Sequence, residues 1–193
     1  YKHYMLKEIY EQPEAIQQTI SQALNGNALR EDFLEKANVD FASITQIQIL
    51  ACGTSYHAGM IAKYWFEQLI DLPCQVEIAS EFRYRAPVIV NNTLYVCISQ
   101  SGETADTLAS LRRCNELGIH TVSISNEPES SMTKEAITPI ITQCGTETAI
   151  LGTKTYITQL ACLYQILFAA SDYEDKNELL AELYDLPEIL EKL

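Results

Sequence analysis

Short apolar runs separated by polar turns set the rhythm of this 193-residue chain. Gln46 to Ala51 alternates and then becomes wholly apolar, as a strand buried on both faces does. Cys74 to Ile78 and Thr93 to Ile98 predict a second and a third strand, Ile119 to Ile124 and Ile137 to Thr142 a fourth and a fifth. Between these runs the apolar spacing lengthens to the helical period. Met60, Ile61, Tyr64, Trp65 and Leu69 mark a helix over Ser55 to Ile70. Thr104 to Leu117 predicts another, stopped by Gly118 as a left-handed terminator. Thr153 to Ala170 predicts a long helix with a broad apolar surface. Earlier in the chain, Ile16, Ile20 and Leu24 recur every fourth residue after Pro13, which suits a first helical turn. Asn25-Gly26-Asn27 is expected to end that helix, and a polar connection to run on to Thr45. Glu174 to Leu193 predicts one or two helices interrupted at Pro187.

Five short strands alternating with helices predict an α/β fold, a doubly wound three-layer domain on a five-stranded parallel sheet. The expected strand order is flavodoxin-like, 2-1-3-4-5. A helical arm is expected over residues 1–44, the sheet domain over 45–171 and an acidic helical segment over 172–193. No internal repeat or low-complexity linker interrupts this pattern.

Composition narrows the partners. There are 26 acidic and 13 basic residues, a net charge of −13, which argues against nucleic acid because phosphate-backbone binding needs a basic face. Eight of the acidic residues lie between Asp172 and Leu193, as on a solvated helix face. A small phosphate ester stays possible, because a few aimed backbone N–H groups hold one locally. The longest apolar stretch, Leu160 to Ala170, is interrupted by Tyr164 and Gln165 and is too short to span a bilayer, so no membrane partner is expected. Cys52, Cys74, Cys97, Cys114, Cys144 and Cys162 show no C-x-x-C spacing; Cys74, Cys97 and Cys162 read as small buried hydrophobes in a reducing compartment, and all six are expected to be free thiols. His3, His57 and His120 are scattered, so no metal site and no cofactor is expected. The chain opens at Tyr1 rather than at methionine, as expected of a piece of something longer.

Candidate chemistry sits in two loops. "LACGTSYHAG" (Leu50 to Gly59) follows the first strand, and "ISQSGETADTL" (Ile98 to Leu108) follows the third. In the expected order these strands are neighbours, so both loops open into the crevice where such sheets bind ligands. Each leads into a helix whose free N–H groups and positive dipole end face that crevice. Ser55, Ser99, Ser101 and Thr104 can donate O–H groups to a phosphate, and Gln100 an N–H. Gly53 and Gly102 let the backbone come close. Neither loop is a Walker or dinucleotide-binding motif. The plainer alternative is that these hydroxyls are N-caps. With nothing bound, the hydroxyls of Ser99, Ser101 and Thr104 are expected to face water, with Thr104 the one that could also cap its helix. Cys52 as a thiolate nucleophile lacks an assigned histidine, since His57 lies just inside the following helix.

Four stretches, "ILACGTSYHAG", "VEIASEFRYR", "SQSGETADTL" and "GTET…TK…TQL", resemble the first sugar isomerase (SIS) domain of the glutamine–fructose-6-phosphate aminotransferases. The opening "KHYMLKEIYEQP" resembles that family's segment between its glutaminase domain and its sugar domain. The resemblance runs over most of Lys2 to Ala170. It implies a cytoplasmic, homodimeric enzyme of amino-sugar biosynthesis that makes glucosamine 6-phosphate from fructose 6-phosphate and glutamine. By this resemblance Ser55, Ser99, Gln100, Ser101 and Thr104 hold the sugar phosphate of fructose, glucose or glucosamine 6-phosphate; Cys52, Gly53 and Thr54 line the sugar; and the backbone at Ile150 approaches it. The residues of ring opening and proton transfer belong to the family's second SIS domain and tail, so no catalytic residue is expected here and the chain alone is expected to lack turnover. The arm and the acidic segment would lead toward the glutaminase and second SIS domains of the same chain.

One departure stands out: many relatives read Ala-Ser-Thr-Lys where this chain has Leu151-Gly152-Thr153-Lys154. A hydroxyl contact at 152 must then be lost or come from backbone. Lys154 invites a Schiff-base role, but a plain helix N-terminal lysine is the simpler reading. Glu103 and Glu147 are candidate acid/base groups, with a helix-start role the simpler one for Glu103. From a different class, a stand-alone sugar-phosphate-sensing regulatory module is the alternative; a sensor should be attached to a DNA-binding or effector segment, and nothing basic is present.

Overall fold

The computed structural model describes residues 1–33, 39–171 and 175–192. Helices Tyr4–Tyr10 (α1) and Gln12–Ile20 (α2) come first, with Pro13 in the opening turn of α2 as expected. Leu24–Asn25 (β1) and Ala28–Leu29 (β2) then pair as an antiparallel hairpin. Asn25-Gly26-Asn27 therefore makes this hairpin instead of ending the helix, which stops earlier, at Ile20. Gly26 supplies the positive φ of 63° at the turn, a conformation that two-residue hairpins favour. Part of the polar connection expected before Thr45 lies outside the described residues; the rest includes a 3-10 turn at Phe41–Ser43.

The main domain follows as Gln46–Ala51 (β3), Gly53–Ile70 (α3), Cys74–Ile78 (β4), Ala79–Tyr84 (α4), Thr93–Ile98 (β5), Ala105–Glu116 (α5), Thr121–Ser125 (β6), Ser131–Glu135 (α6), Thr138–Ile141 (β7) and Lys154–Ala169 (α7). Lys176–Glu191 (α8) ends the described chain. The five-stranded sheet has the order β4-β3-β5-β6-β7 and every pair is parallel. That is the expected doubly wound order.

Alternation along the strands sorts side chains onto two faces. Ile47, Ile49 and Ala51 of β3 with Leu94, Val96 and Ile98 of β5 face a layer built by α2, α3, α7 and α8. Leu50, Tyr95 and Cys97 face the opposite layer, where Phe82, Leu108, Leu111 and Met132 cover them. Ile16 and Ile20 are fully buried in the first layer, so α2 packs as part of the domain's core.

The acidic segment holds one continuous helix over its described residues, with Pro187 inside it. A proline in a helix interior costs about 3 kcal/mol through a lost hydrogen bond and a ring clash. Here it falls near the C-terminal end of a helix whose Leu180 and Leu183 are buried and whose Leu186 and Leu190 pack against the core. Packing carries the helix through. The expected starting residue Glu174 and the terminal Leu193 lie outside the described residues.

Helix α3 crosses the sheet at Gly59, where an added Cβ would stand 2.9 Å from Ile49 Cγ2 and 3.0 Å from Val76 Cγ1. Those two residues are register partners in β3 and β4, so neither can move aside cheaply. Gly59→Val should cost about 1–3 kcal/mol by overpacking, seen as a lower urea midpoint with an unchanged m-value.

Candidate functional site

Strand register builds the site first. Ala51 of β3 is paired with Ile98 of β5, so Cys52 and Ser99 are the first residues past two neighbouring strand ends. From there α3 runs to one face of the sheet and α5 to the other, which makes the space beyond these ends the switch point of the fold. Cys52 is half-buried and extended, Gly53 has φ 58°, Thr54 is half-buried and Ser55 is buried.

The second loop is tied internally. Ser99, only 3% exposed, has its Oγ 2.8 Å from Thr104 Oγ1 and accepts the Gly102 N–H at 3.2 Å. Ser101 Oγ accepts the Glu103 N–H at 3.1 Å, and the Gln100 carbonyl accepts from Asn126 N at 2.9 Å. Gly102 has φ 64°, and a Cβ there would lie 2.1 Å from Ser130 Oγ. The expectation that the hydroxyls face water is therefore corrected for Ser99 and Thr104, which bond each other while Ser99 also takes the Gly102 N–H. Ser101 is half-buried and takes the Glu103 N–H in an exposed bond.

The helix starts along this edge divide into two kinds. Ser130 Oγ accepts from Thr133 N at 3.3 Å at the start of α6, where Glu103 Oε1 also accepts from Ser131 N at 2.6 Å. Glu147 Oε1 accepts from Thr153 N at 2.7 Å at the start of α7, and its other oxygen takes the Thr155 hydroxyl. Both candidate acid/base carboxylates thus serve as helix-start acceptors. By contrast, α3 starts from Cys52, α4 from Ile78 and α5 from Thr104 without any side-chain cap, and of these α3 and α5 start within the two hydroxyl-bearing loops. The N-cap alternative fails at Thr104, whose hydroxyl turns to Ser99 instead. Uncapped first turns present unpaired N–H groups and the positive end of the helix dipole.

A third wall comes from the connection between β7 and α7. Asn126 Oδ1 accepts from Thr142 Oγ1 at 3.0 Å and Cys144 N at 2.9 Å, and Asn126 Nδ2 donates to the Gly145 carbonyl at 2.9 Å. Further along, Glu8 of α1 accepts from Thr148 N and from Ala149 N, the latter at 3.1 Å. Lys154 is buried and donates to Glu11 Oε2 at 2.7 Å, so the structure ties this amine into an ion pair. The Lys154 hydrogen bond, and then that of Lys7, hold the Glu11 carboxyl below the ordinary carboxylate range. The side chain of Ile150 is fully exposed and touches neither serine-rich loop. At Gly152 an added Cβ would stand 2.9 Å from Thr155 Oγ1 and 3.3 Å from Thr54 Oγ1. Thr155 thus crowds the place a side chain at 152 would take, and the connection abuts the first loop at Thr54. Asn126, Thr155, Glu8 and Glu11 were not among the sequence candidates. Glu8 and Glu11 are three residues apart, a spacing that puts them on one side of a helix, but only the fold supplies their partners.

All six cysteines are free thiols. Burial pushes the thiols of Cys74, Cys114 and Cys162 up to about 12, and it raises those of Cys97 and Cys144 as well. Cys52 alone is half-exposed. The exposed His57 sets its ring against Tyr56, centroids 5.6 Å apart. Among the described residues no group of three or more His, Cys, Asp or Glu side chains could hold a metal ion, and no helix is long and apolar enough to cross a membrane.

Residues 40–169 match the family model of the SIS domain, and the chain belongs to that family. It is 58% identical over 202 residues to the glutamine–fructose-6-phosphate aminotransferase (isomerizing) of Acinetobacter baylyi, a match covering 98% of this chain and 33% of that protein. It is 42% identical over 200 residues to the Escherichia coli protein of the same name, covering 100% of this chain and 33% of that protein. Among solved structures, the C-terminal domain of glucosamine-fructose-6-phosphate aminotransferase from Francisella tularensis matches with a TM-score of 0.88 at 42% identity, covering 97% of this chain and 55% of that one. The chain spans about a third of the length of the curated relatives it matches.

Two outcomes follow from this geometry. Iodoacetamide under native conditions should label Cys52 first and leave the five buried thiols unmodified on the same timescale, whereas denaturation should release all six. Gly102→Ala should cost about 1–3 kcal/mol from the left-handed backbone alone. Its clash with Ser130 adds to that cost, and both appear in a urea melt.

Proposed function

We propose that the crevice beyond β3 and β5 binds the phosphate of fructose 6-phosphate, and that this chain is the first SIS domain of an isomerising glutamine–fructose-6-phosphate aminotransferase. One observation carries the reading: α3 and α5 start uncapped at adjoining strand ends, each within a hydroxyl-bearing loop, whereas α6 and α7 have their starts filled by carboxylates. Such a pair of helix starts suits a dianion without a strong local positive charge. In this reading Ser55, Ser99, Gln100, Ser101 and Thr104 hold the phosphate. Cys52, Gly53 and Thr54 line the sugar, and the backbone near Ile150 closes over it. Glucose 6-phosphate and glucosamine 6-phosphate share the same phosphate contacts.

The acid/base and imine-forming steps are assigned outside this chain, because Glu103, Glu147 and Lys154 are all committed to structural contacts. The glutaminase domain and the second SIS domain belong to the same proposal, supported by the aminotransferase names of the relatives and by the third of their length that this chain spans; the homodimeric assembly and the cytoplasmic location in it rest on the family resemblance alone. The sensing alternative is not better supported.

Titration of fructose 6-phosphate, glucose 6-phosphate and free fructose by calorimetry tests the reading. Ser101 is the cleaner probe, since its hydroxyl makes one exposed bond within the loop whereas the buried Ser99 makes two. A hydrogen bond to a charged group contributes roughly 1.5–3 kcal/mol, so Ser101→Ala should weaken sugar-phosphate binding by about tenfold or more. Equal binding of fructose and its phosphate, or unchanged affinity in Ser101→Ala, would sink the assignment.

A further inference from the structure

We propose that Glu8 and Glu11 are positioning residues that set the sugar-side wall of the crevice from outside it. The proposal rests on the crevice being the sugar-phosphate site. Helix α1 is unusual in how it is held. It has seven residues, too few for an isolated helix to persist in water, so its contacts must keep it in place. Yet its single buried side chain is a carboxylate, Glu8, at 2% exposure, while Tyr4, Met5, Leu6, Ile9 and Tyr10 all remain exposed. A buried carboxylate is costly unless hydrogen bonds replace its water. Glu8 finds them about 140 residues away, on the backbone N–H groups of Thr148 and Ala149. Glu11, one residue past the helix, adds its bond to the buried Lys154 at the start of α7.

These anchors hold one short piece of chain. On one side Asn126 fixes the connection at Cys144 and Gly145, and on the other Glu147 fixes it at Thr153. Between them Glu8 is the clasp, and just past it Gly152 comes up against Thr54 of the first loop. Losing the clasp should therefore move the wall beside Thr54 and leave the phosphate-facing helix starts as they are. By linkage, a ligand packed against that wall also steadies α1, to the same degree that α1 steadies the ligand.

An NMR titration of the chain separates this role from general stabilisation. In Glu8→Ala, fructose 6-phosphate should bind at least fivefold more weakly, inorganic phosphate should bind within twofold of wild type, and the Thr148 and Ala149 amides should exchange faster with solvent. Glu8→Gln keeps the size and one acceptor oxygen, so it should recover part of the loss, and it serves as the probe should Glu8→Ala not fold. The exposed Glu14→Ala on α2, whose partner is Gln18, should behave as wild type. Equal loss of both ligands, unchanged fructose 6-phosphate affinity, or undisturbed amides in Glu8→Ala would overturn the proposal. Should wild type bind neither ligand, the site reading falls, and the amide exchange alone decides whether Glu8 holds the connection.

Discussion

Strands β3 and β5 run side by side with Ala51 opposite Ile98, and each part of the crevice takes its position from that pairing. The two strands send their helices to opposite faces of the sheet, so the loops diverge at the switch point where such sheets bind ligands. A slip of one residue would turn Ile49 and Val96 toward the wrong layer and carry Cys52 and Ser99 out of step. The buried alternation on both strands holds the register, and the register holds the site. Binding geometry here is thus a by-product of core packing: the residues that place the loops are apolar and lie several ångströms behind them.

Legibility varied with how strongly burial marks the chain. β3, β4 and β5 occupy the residues the pattern assigned to them: β3 and β5 are central strands buried between two helical layers, whereas β4 is an edge strand marked by its short CQVEI run, with Cys74 buried and Gln75 exposed. β6 begins at Thr121 instead of Ile119, since the chain is still leaving the left-handed Gly118 and Ile119 packs from the turn. Short helices α4 and α6 went unseen because five or six residues do not complete two turns of a repeat. Helix α1 lies within the expected helical arm, but its own bounds were not legible, as its apolar residues mark no buried face. The two glycine- and serine-rich loops were legible as a pair, because each follows a strand that the pattern identifies. Their internal bonding was not, since whether a serine caps a helix, bonds a neighbour or faces solvent depends on turn geometry that spacing alone leaves open.

The acidic groups around the site show how the fold converts one residue type to several uses. Glu103 and Glu147 fill helix starts, Glu11 neutralises a buried lysine, and Glu8 takes two backbone donors. Each is matched to a specific donor set, from the solvent-exposed bond of the Ser131 N–H to the buried Lys154 ammonium. In a chain of net charge −13 this local matching decides where an anion can come close, and along this edge it leaves α3, α4 and α5 without a side-chain cap.

Those open starts constrain how the protein can be made more robust. Improving helix caps is a common route to stability, and an Asp, Asn or Ser cap in place of a non-capping residue adds about 1 kcal/mol. Cys52 is an obvious target for such an exchange, because it heads an eighteen-residue helix with no cap of its own. An Asp there would satisfy the first turn and, in the same stroke, put a permanent negative charge where the dianion should sit. Stability at this edge of the sheet and vacancy for a ligand compete for the same few N–H groups, so a chain selected only for resistance to heat would be expected to close its own crevice.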